Sequence, residues 1–281
     1  MKLSIITINY NDAEGLRMTM ESVLKQTYRN IEYIIVDGAS TDESVDVIRE
    51  MSASLNDGMS RDKSLNDGVS ILWSSEPDRG IYDAMNKGIK KATGEYLYFL
   101  NSGDVLANDN VLETIVNLLG EEDIIIGRVN KVANERIIDQ TKLMTEGDMS
   151  LYQMYLHGIN HQSAIIRCDT QIKYMYDDTL KIGADWKFFV QAIVLDSATT
   201  KFVDMTIANY DMSGVSSNIE KLRNERKAIL ESLIPERIAR DYLAVAPHYY
   251  EVVRLQWLLE HPFWYKIYRG LTTFGRKICN L

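Results

Sequence analysis

Along the first hundred residues two hydrophobic periods take turns. Leu3–Ile8 is a short, apolar, β-branched run of the kind that forms a strand buried on both faces. Over 13–25 it is replaced by Leu16, Met20, Val23 and Leu24 at helical spacing. Ile31–Val36 predicts a second strand, ending in Asp37-Gly38-Ala39-Ser40-Thr41-Asp42. There Ser40 or Thr41 is placed to cap a helix carrying Val45, Val47 and Ile48. A strand near Ser70–Trp73, a helix over Ile81–Ala92 and a strand at Tyr96–Leu100 continue the alternation. Strand and helix in strict alternation imply parallel strands joined by right-handed crossovers, hence an open α/β sheet.

Between the second helix and the third strand, Ser54-Leu55-Asn56-Asp57-Gly58 recurs as Ser64-Leu65-Asn66-Asp67-Gly68. Turn-forming residues dominate the repeat, which predicts a surface loop. After residue 120 the pattern changes. Asp123–Val129 and Ile137–Leu143 predict strands in a hairpin around Asn134, 149–157 a short helix and Ser163–Arg167 a further strand. A helix begins at Asp185 with Trp186, Phe189, Val190 and Ile193 facing inward; Phe202–Tyr210 is a late strand. A loop at Met212–Asn218 precedes mostly helical sequence. The chain thus divides into an α/β domain over 1–217 and a helical extension over 218–281.

Composition narrows the partners. The 281 residues carry 31 Lys plus Arg against 40 Asp plus Glu, a net charge of −9. So acidic a chain lacks the general basic surface that polyanionic nucleic acid requires. The two cysteines, Cys168 and Cys279, form neither a metal knuckle nor a disulfide framework and read as reduced thiols. No run reaches the roughly eighteen apolar residues of a membrane span. The N-terminal residues do not have the pattern of a secretion signal, so a cytoplasmic protein is expected. One segment departs from the acidic remainder. From Pro262, Phe263, Trp264, Ile267, Tyr268, Leu271, Phe274 and Ile278 recur at helical spacing, with Lys266, Arg269, Arg276 and Lys277 between them. A basic, aromatic helix over 262–281 suits peripheral contact with the inner face of the cytoplasmic membrane. The alternative is a stripe packed on the α/β domain or on a second copy in a homo-oligomer.

In an open parallel sheet, ligands bind outside the carboxyl ends of the strands. Strand one delivers Thr7, Asn9, Tyr10 and Asn11 there, and strand two delivers Asp37. Strand three leads to Glu76-Pro77-Asp78-Arg79-Gly80, and strand four to Asn101-Ser102-Gly103-Asp104. Carboxylates and amides at one rim suit a sugar, a base or a divalent cation. No GxGxxG follows strand one and no GxxxxGK[ST] occurs, which argues against a dinucleotide oxidoreductase and a P-loop phosphotransferase.

In their order and spacing, Ser4–Asn11, Ser22–Tyr28, Ile35–Asp42, Glu76–Asn86 and Gly94–Asp104 resemble the family-2 glycosyltransferases. These are inverting enzymes of GT-A fold, and the likeness is to those that build bacterial surface polysaccharides. The resemblance implies an open, mainly parallel sheet flanked by helices. It also implies transfer from a nucleotide sugar, UDP-linked, to a saccharide or polyprenyl-linked saccharide acceptor. Asp37 would accept the N3–H of uracil, since an ionised carboxylate only accepts. Asp104 would hold Mg²⁺ or Mn²⁺ bridging the diphosphate. Ser102 stands where the family has the first Asp of an Asp-x-Asp pair, and Met85 where many relatives carry Arg, leaving Arg79 to meet phosphate. Asp83 and Asn86 would face the donor from the first turns of their helix. Asp185, in Gly183-Ala184-Asp185-Trp186, resembles the family's catalytic base, with Ala184 where Glu is common. His161, Gln162 and Trp186 would serve the acceptor. Plainer roles stand beside these: a turn for Asp37, a helix cap for Asp185, a structural His161, core packing for Trp186. Two other functions remain open at this point. One is a sugar-nucleotide nucleotidyltransferase, which would ordinarily carry a basic Gly-rich loop after strand one. The other is an inactive nucleotide-sugar-binding module, which the Ser102 and Ala184 departures would suit.

Overall fold

The computed structural model describes residues 1–56, 68–134, 136–212, 219–245 and 248–268. The alternating half is built from β1 (Leu3–Asn9), α1 (Ala13–Leu24), β2 (Ile31–Asp37), α2 (Ser44–Asn56), β3 (Val69–Ser75), α3 (Ile81–Lys91) and β4 (Tyr96–Phe99). Strands run parallel in the order β3-β2-β1-β4. β1 and β2 are buried at every position because helices cover both faces. On one face Leu3, Ile5, Tyr33 and Ile35 pack with Leu16, Met20 and Val23 of α1 and Val47 and Ile48 of α2. On the other, α3 lies so close that a Cβ on Gly88 would meet Ile6 Cγ2 at 2.5 Å. The register sets Asn9 beside Asp37, and Asp37 beside Ser75, so the three strand ends finish in one row.

The second half adds β5 (Val105–Leu106), α4 (Val111–Leu118), β6 (Ile124–Ala133), β7 (Arg136–Gln140), α5 (Leu151–Leu156), β8 (Ala164–Arg167) and α6 (Cys168–Lys173). Then come α7 (Ala184–Phe189), a π-helical stretch at Val190–Leu195, and β9 (Thr200–Asp211). β8 joins β4 and β6 antiparallel, β9 lies parallel to β6, and β5 closes the row antiparallel to β9. The hairpin of β6 and β7 turns at Asn134, whose φ of +49° is the left-handed conformation that Asn tolerates best among non-glycine residues. β5, α4 and α6 were not expected from the hydrophobic pattern.

α2 begins at Ser44, later than expected, and neither Ser40 nor Thr41 caps it. Asp42 Oδ1 accepts the Ser44 N–H at 3.1 Å, and Ser40 is engaged with Asp37 instead. The expected loop repeat begins inside α2 through Asn56, and its residues 57–67 lie outside the described residues, as do 213–218 of the later loop. Helices α8 (Ile219–Leu233), α9 (Glu236–Val245) and α10 (Tyr249–Glu260) follow, and 262–268 is helical. Residues 269–281, the larger part of the expected basic, aromatic helix, lie outside the described residues. The chain divides into two compact units, Met1–Arg226, which holds the whole sheet, and Lys227–Leu281. Among the described residues no helix is long and apolar enough to cross a membrane.

Candidate functional site

A cleft of about 840 Å³ opens at the carboxyl ends of the parallel strands. Nine of the residues expected from the sequence line it: Asn9, Tyr10, Asp78, Asn101, Ser102, Asp104, His161, Gln162 and Asp185. They come from β1, the β3–α3 loop, the β4–β5 turn, the turn before β8 and the start of α7.

One wall is a narrow slot. A Cβ on Gly38 would lie 2.5 Å from Asp78 Oδ2 and 3.1 Å from the Tyr10 ring, so glycine is what lets these two side chains approach the main chain. Beneath it, Asp37 is fully buried and does not line the cleft. Its Oδ1 accepts from Asn9 Nδ2 at 2.8 Å and from the Ser40 hydroxyl; its Oδ2 accepts from the Ser40 N–H at 2.9 Å and the Ser75 hydroxyl at 2.6 Å. Burial alone would raise this carboxyl, but the hydrogen bonds outweigh it and hold it below the usual range. An ionised carboxylate has about four acceptor positions, and four donors fill them. Here Asp37 ties the ends of β1, β2 and β3 together. Asn11, with φ of +52°, braces the same loop by accepting the Thr41 N–H at 2.7 Å.

The floor is the turn Asn101-Ser102-Gly103-Asp104, tightened by the Asp104 N–H to the Asn101 carbonyl at 3.0 Å and by Gly103 at φ +89°. Asp104 is 3% exposed. Gln162 Nε2 donates to its Oδ2 and the Asp211 N–H to its Oδ1, both at 3.0 Å. Burial pushes its carboxyl up to about 6 against those bonds and the nearby His161. Ser102 donates to Asp12 Oδ2 at 2.8 Å, and Asp12 also caps α1 through Gly15 N–H. Among the described residues no three ligating side chains converge as a metal cage. The donor set still fits a hard divalent cation shared with a diphosphate. Asp104 retains an unoccupied lone pair on each oxygen, and a cation there would offset the cost of its buried charge.

Asp185 lines the same cleft. It is the second residue of α7, not its cap; Gly183 holds that position, and Glu225 on α8 collects the N–H groups of Lys181, Ile182 and Gly183 at 3.1, 2.9 and 2.9 Å. Asp185 Oδ1 accepts from the Trp186 N–H at 2.7 Å, and the Tyr82 hydroxyl, which donates to the Ile182 carbonyl, lies 3.3 Å from the same oxygen. Burial and the nearby Asp185 push the Tyr82 phenol upward, so it remains a donor. His161 Nδ1 lies 3.3 Å from Asp185 Oδ2, and its Nε2 lies 3.0 Å from Asn101 Nδ2. With Asn101 donating to Nε2, a neutral ring carries its proton on Nδ1, facing the carboxylate. One short turn, His161–Ser163, therefore touches both carboxylates: Asp185 through His161 and Asp104 through Gln162.

The other expected residues lie elsewhere. Thr7 is buried and donates to the Leu100 carbonyl at 2.6 Å. Asn86 uses its amide as a clasp, donating to the Tyr176 carbonyl at 2.8 Å and accepting its N–H at 2.9 Å, and does not face the cleft. Arg79 forks to Asp83 and Asp178 outside the cleft, which removes both Arg79 and Asp83 from the lining. Trp186 is 2% exposed, with its indole N–H on the Met154 carbonyl at 2.6 Å and the Arg226 guanidinium over its ring. It is core, and offers no face to a sugar. Sequence reasoning missed Asp12, Tyr82, Lys181, Tyr210 and Asp211, all of which line the cleft.

A family model described as glycosyl transferase family 2 matches residues 4–172. An uncharacterized glycosyltransferase of Mycobacterium tuberculosis is 31% identical over 226 residues, covering 78% of this chain and 78% of that protein. A PGL/p-HBAD biosynthesis glycosyltransferase of Mycobacterium bovis is 28% identical over 220 residues, covering 76% and 78%. Among solved structures, S. aureus TarS in complex with UDP-GlcNAc superposes with a TM-score of 0.63 at 20% identity, over 88% of this chain and 72% of that one. The mannosyltransferase PcManGT of Pyrobaculum calidifontis, with GDP-Man and Mn²⁺, gives 0.57 at 17%, over 87% and 69%. At such identities the likeness is one of fold, and that fold is GT-A. The chain is a glycosyltransferase and belongs to glycosyl transferase family 2.

Proposed function

We propose that this enzyme takes a nucleotide sugar, UDP-linked, and transfers its sugar with inversion to a hydroxyl of a saccharide or polyprenyl-linked saccharide in bacterial polysaccharide assembly. The observation that carries the reading is the pair of carboxylates facing one cleft in different settings. Asp104 is deeply buried, whereas Asp185 keeps 20% of its side chain exposed, within reach of an incoming hydroxyl. The acceptor oxygen attacks the anomeric carbon opposite the nucleotide. As that bond forms, the bond from carbon to phosphate oxygen breaks, its electron pair leaves with the diphosphate, and the hydroxyl proton passes to Asp185. His161 and the Trp186 N–H hold Asp185 in place, and the slot of Tyr10, Gly38 and Asp78 receives the base, with Asp78 in the acceptor role first assigned to Asp37. Asp104 would hold Mg²⁺ or Mn²⁺ together with the diphosphate, and such an ion stabilises charge developing on the leaving group. TarS with UDP-GlcNAc and PcManGT with GDP-Man and Mn²⁺ support a nucleotide-sugar donor and a divalent cation.

Asp185→Asn tests this assignment, keeping size while removing the proton acceptor. Transfer should fall by about 10²–10⁴-fold, with UDP affinity unchanged by calorimetry. Near-wild-type transfer would exclude Asp185 as the base. Peripheral membrane contact belongs to the same proposal: Phe263, Trp264 and Ile267 are exposed on the helical segment 262–268, which also carries Lys266.

A further inference from the structure

The cleft gathers negative charge. Asp12, Asp78, Asp104, Asp185 and Asp211 line it, and Lys181 is the single Lys or Arg among the described residues that do. A nucleoside diphosphate brings more negative charge into that surrounding, so its phosphates need cationic partners from the protein as well as any bound ion. Arg79, to which the sequence pointed, is engaged with Asp83 and Asp178 outside the lining. Lys87 is likewise held, donating to the Pro77 carbonyl at 2.7 Å with Glu76 and Asp83 nearby.

Lys181 differs in how it is mounted. Its main chain is fixed by the Glu225 carboxylate, which accepts three successive backbone N–H groups from Lys181 to Gly183. The residue itself is exposed, at the cleft and four positions before Asp185. The attachment point is thus set while the flexible stem can follow a ligand, and a lysine ammonium is a compact charge suited to phosphate.

We propose that Lys181 is the protein cation that meets the diphosphate of the sugar donor, from the side of the cleft that carries Asp185. This rests on the nucleotide-sugar reading above. The negative charge on the diphosphate grows as the carbon–oxygen bond breaks, so the contact strengthens towards the transition state. Lys181 therefore supports leaving-group departure as well as donor affinity.

The test compares UDP with uridine, which lacks the phosphates. UDP is titrated by calorimetry with Mn²⁺ present, and uridine by saturation-transfer NMR, into the full chain, Lys181→Met and Arg79→Met. Lys181→Met should weaken UDP binding by about 10- to 100-fold, the scale of one charge-assisted hydrogen bond, and leave uridine unchanged. Arg79→Met should bind UDP as the wild type does. If the wild type takes UDP and Lys181→Met takes it equally well, the inference is overturned. Equal losses of UDP and uridine would overturn it too, since Lys181 would then be acting through the base site or the fold. A wild-type chain that binds neither ligand would instead end the nucleotide-sugar reading itself.

Discussion

Asp104→Asn should make the metal-free protein more stable while removing its response to metal and nucleotide. The carboxyl ordinarily titrates at 3.8, and in the folded chain burial pushes it up to about 6. The unfolded chain therefore releases this proton before the folded one does. The stability associated with the group is fully present below pH 3.8 and lost as pH rises through about 6. A difference of about 2 pK units at 1.36 kcal/mol per unit is about 3 kcal/mol, complete above pH 7 and about half as large at pH 5. Asparagine removes the charge, keeps a carbonyl for the Asp211 N–H, and lets the Gln162 amide turn to match it. Urea unfolding in EDTA should show the variant more stable than wild type by up to about 3 kcal/mol at pH 8, with about half that gain at pH 5. Over a unit of this size the pH 8 gain corresponds to about 6–12 °C in Tm. Adding Mn²⁺ with UDP should then stabilise the wild type and leave the variant nearly unmoved. A variant no more stable than wild type at pH 8, or equally more stable at both pH values, would refute the claim that Asp104 is a buried charge awaiting a cation.

Trp186→Ala should destabilise the protein by about 3–5 kcal/mol in urea unfolding, as expected for a large side chain lost from the core. Unchanged stability with a raised acceptor KM would instead return Trp186 to the acceptor site. Replacing Phe263 and Trp264 together by Ser should reduce co-sedimentation with anionic phosphatidylglycerol vesicles without changing Tm, and equal sedimentation would refute the membrane contact.

The parallel half of the fold was readable because its strands are short runs rich in β-branched and apolar residues and its helices show one stripe, so length and period together separate them. Elsewhere the cues were weaker. β5 has two residues, too few for a period, and exists because Val105 and Leu106 pair with Asn209 and Ala208 about a hundred residues away. α4 does carry a stripe of Val111, Leu112 and Ile115, and so was within reach of the same reasoning. Ser40 could have accepted a helix N–H as a cap or donated to Asp37, and only the folded arrangement decides between the two. The site was legible where position at a strand end sufficed, as for Asn9, Asn101 and Asp104. It was illegible where direction mattered. Thr7 shares the Asn9 face of β1 but sits one pleat deeper, under the Leu100 carbonyl. Trp186 follows Asp185 on α7, about 100° around the helix, so when one faces the cleft the other turns into the core. Lys181 belongs to no motif singled out in the sequence, and its importance emerges only once Arg79 is found engaged elsewhere.

If Asp104 and Asp185 act as proposed, the turn at His161–Ser163 makes two chemically separate tasks mechanically inseparable. In the proposed mechanism Asp104 would grip the donor and Asp185 would take the acceptor proton, and adjacent residues of one short segment, Gln162 and His161, contact them. A displacement of that segment cannot retune one carboxylate alone. Changes that adapt the enzyme to a new donor through Gln162 would be transmitted through the main chain to the proton acceptor. Donor choice and acceptor reactivity should therefore drift together as the site diverges, with compensating changes falling at Asn101 and Tyr82, which contact the two ends of the linkage from outside the turn.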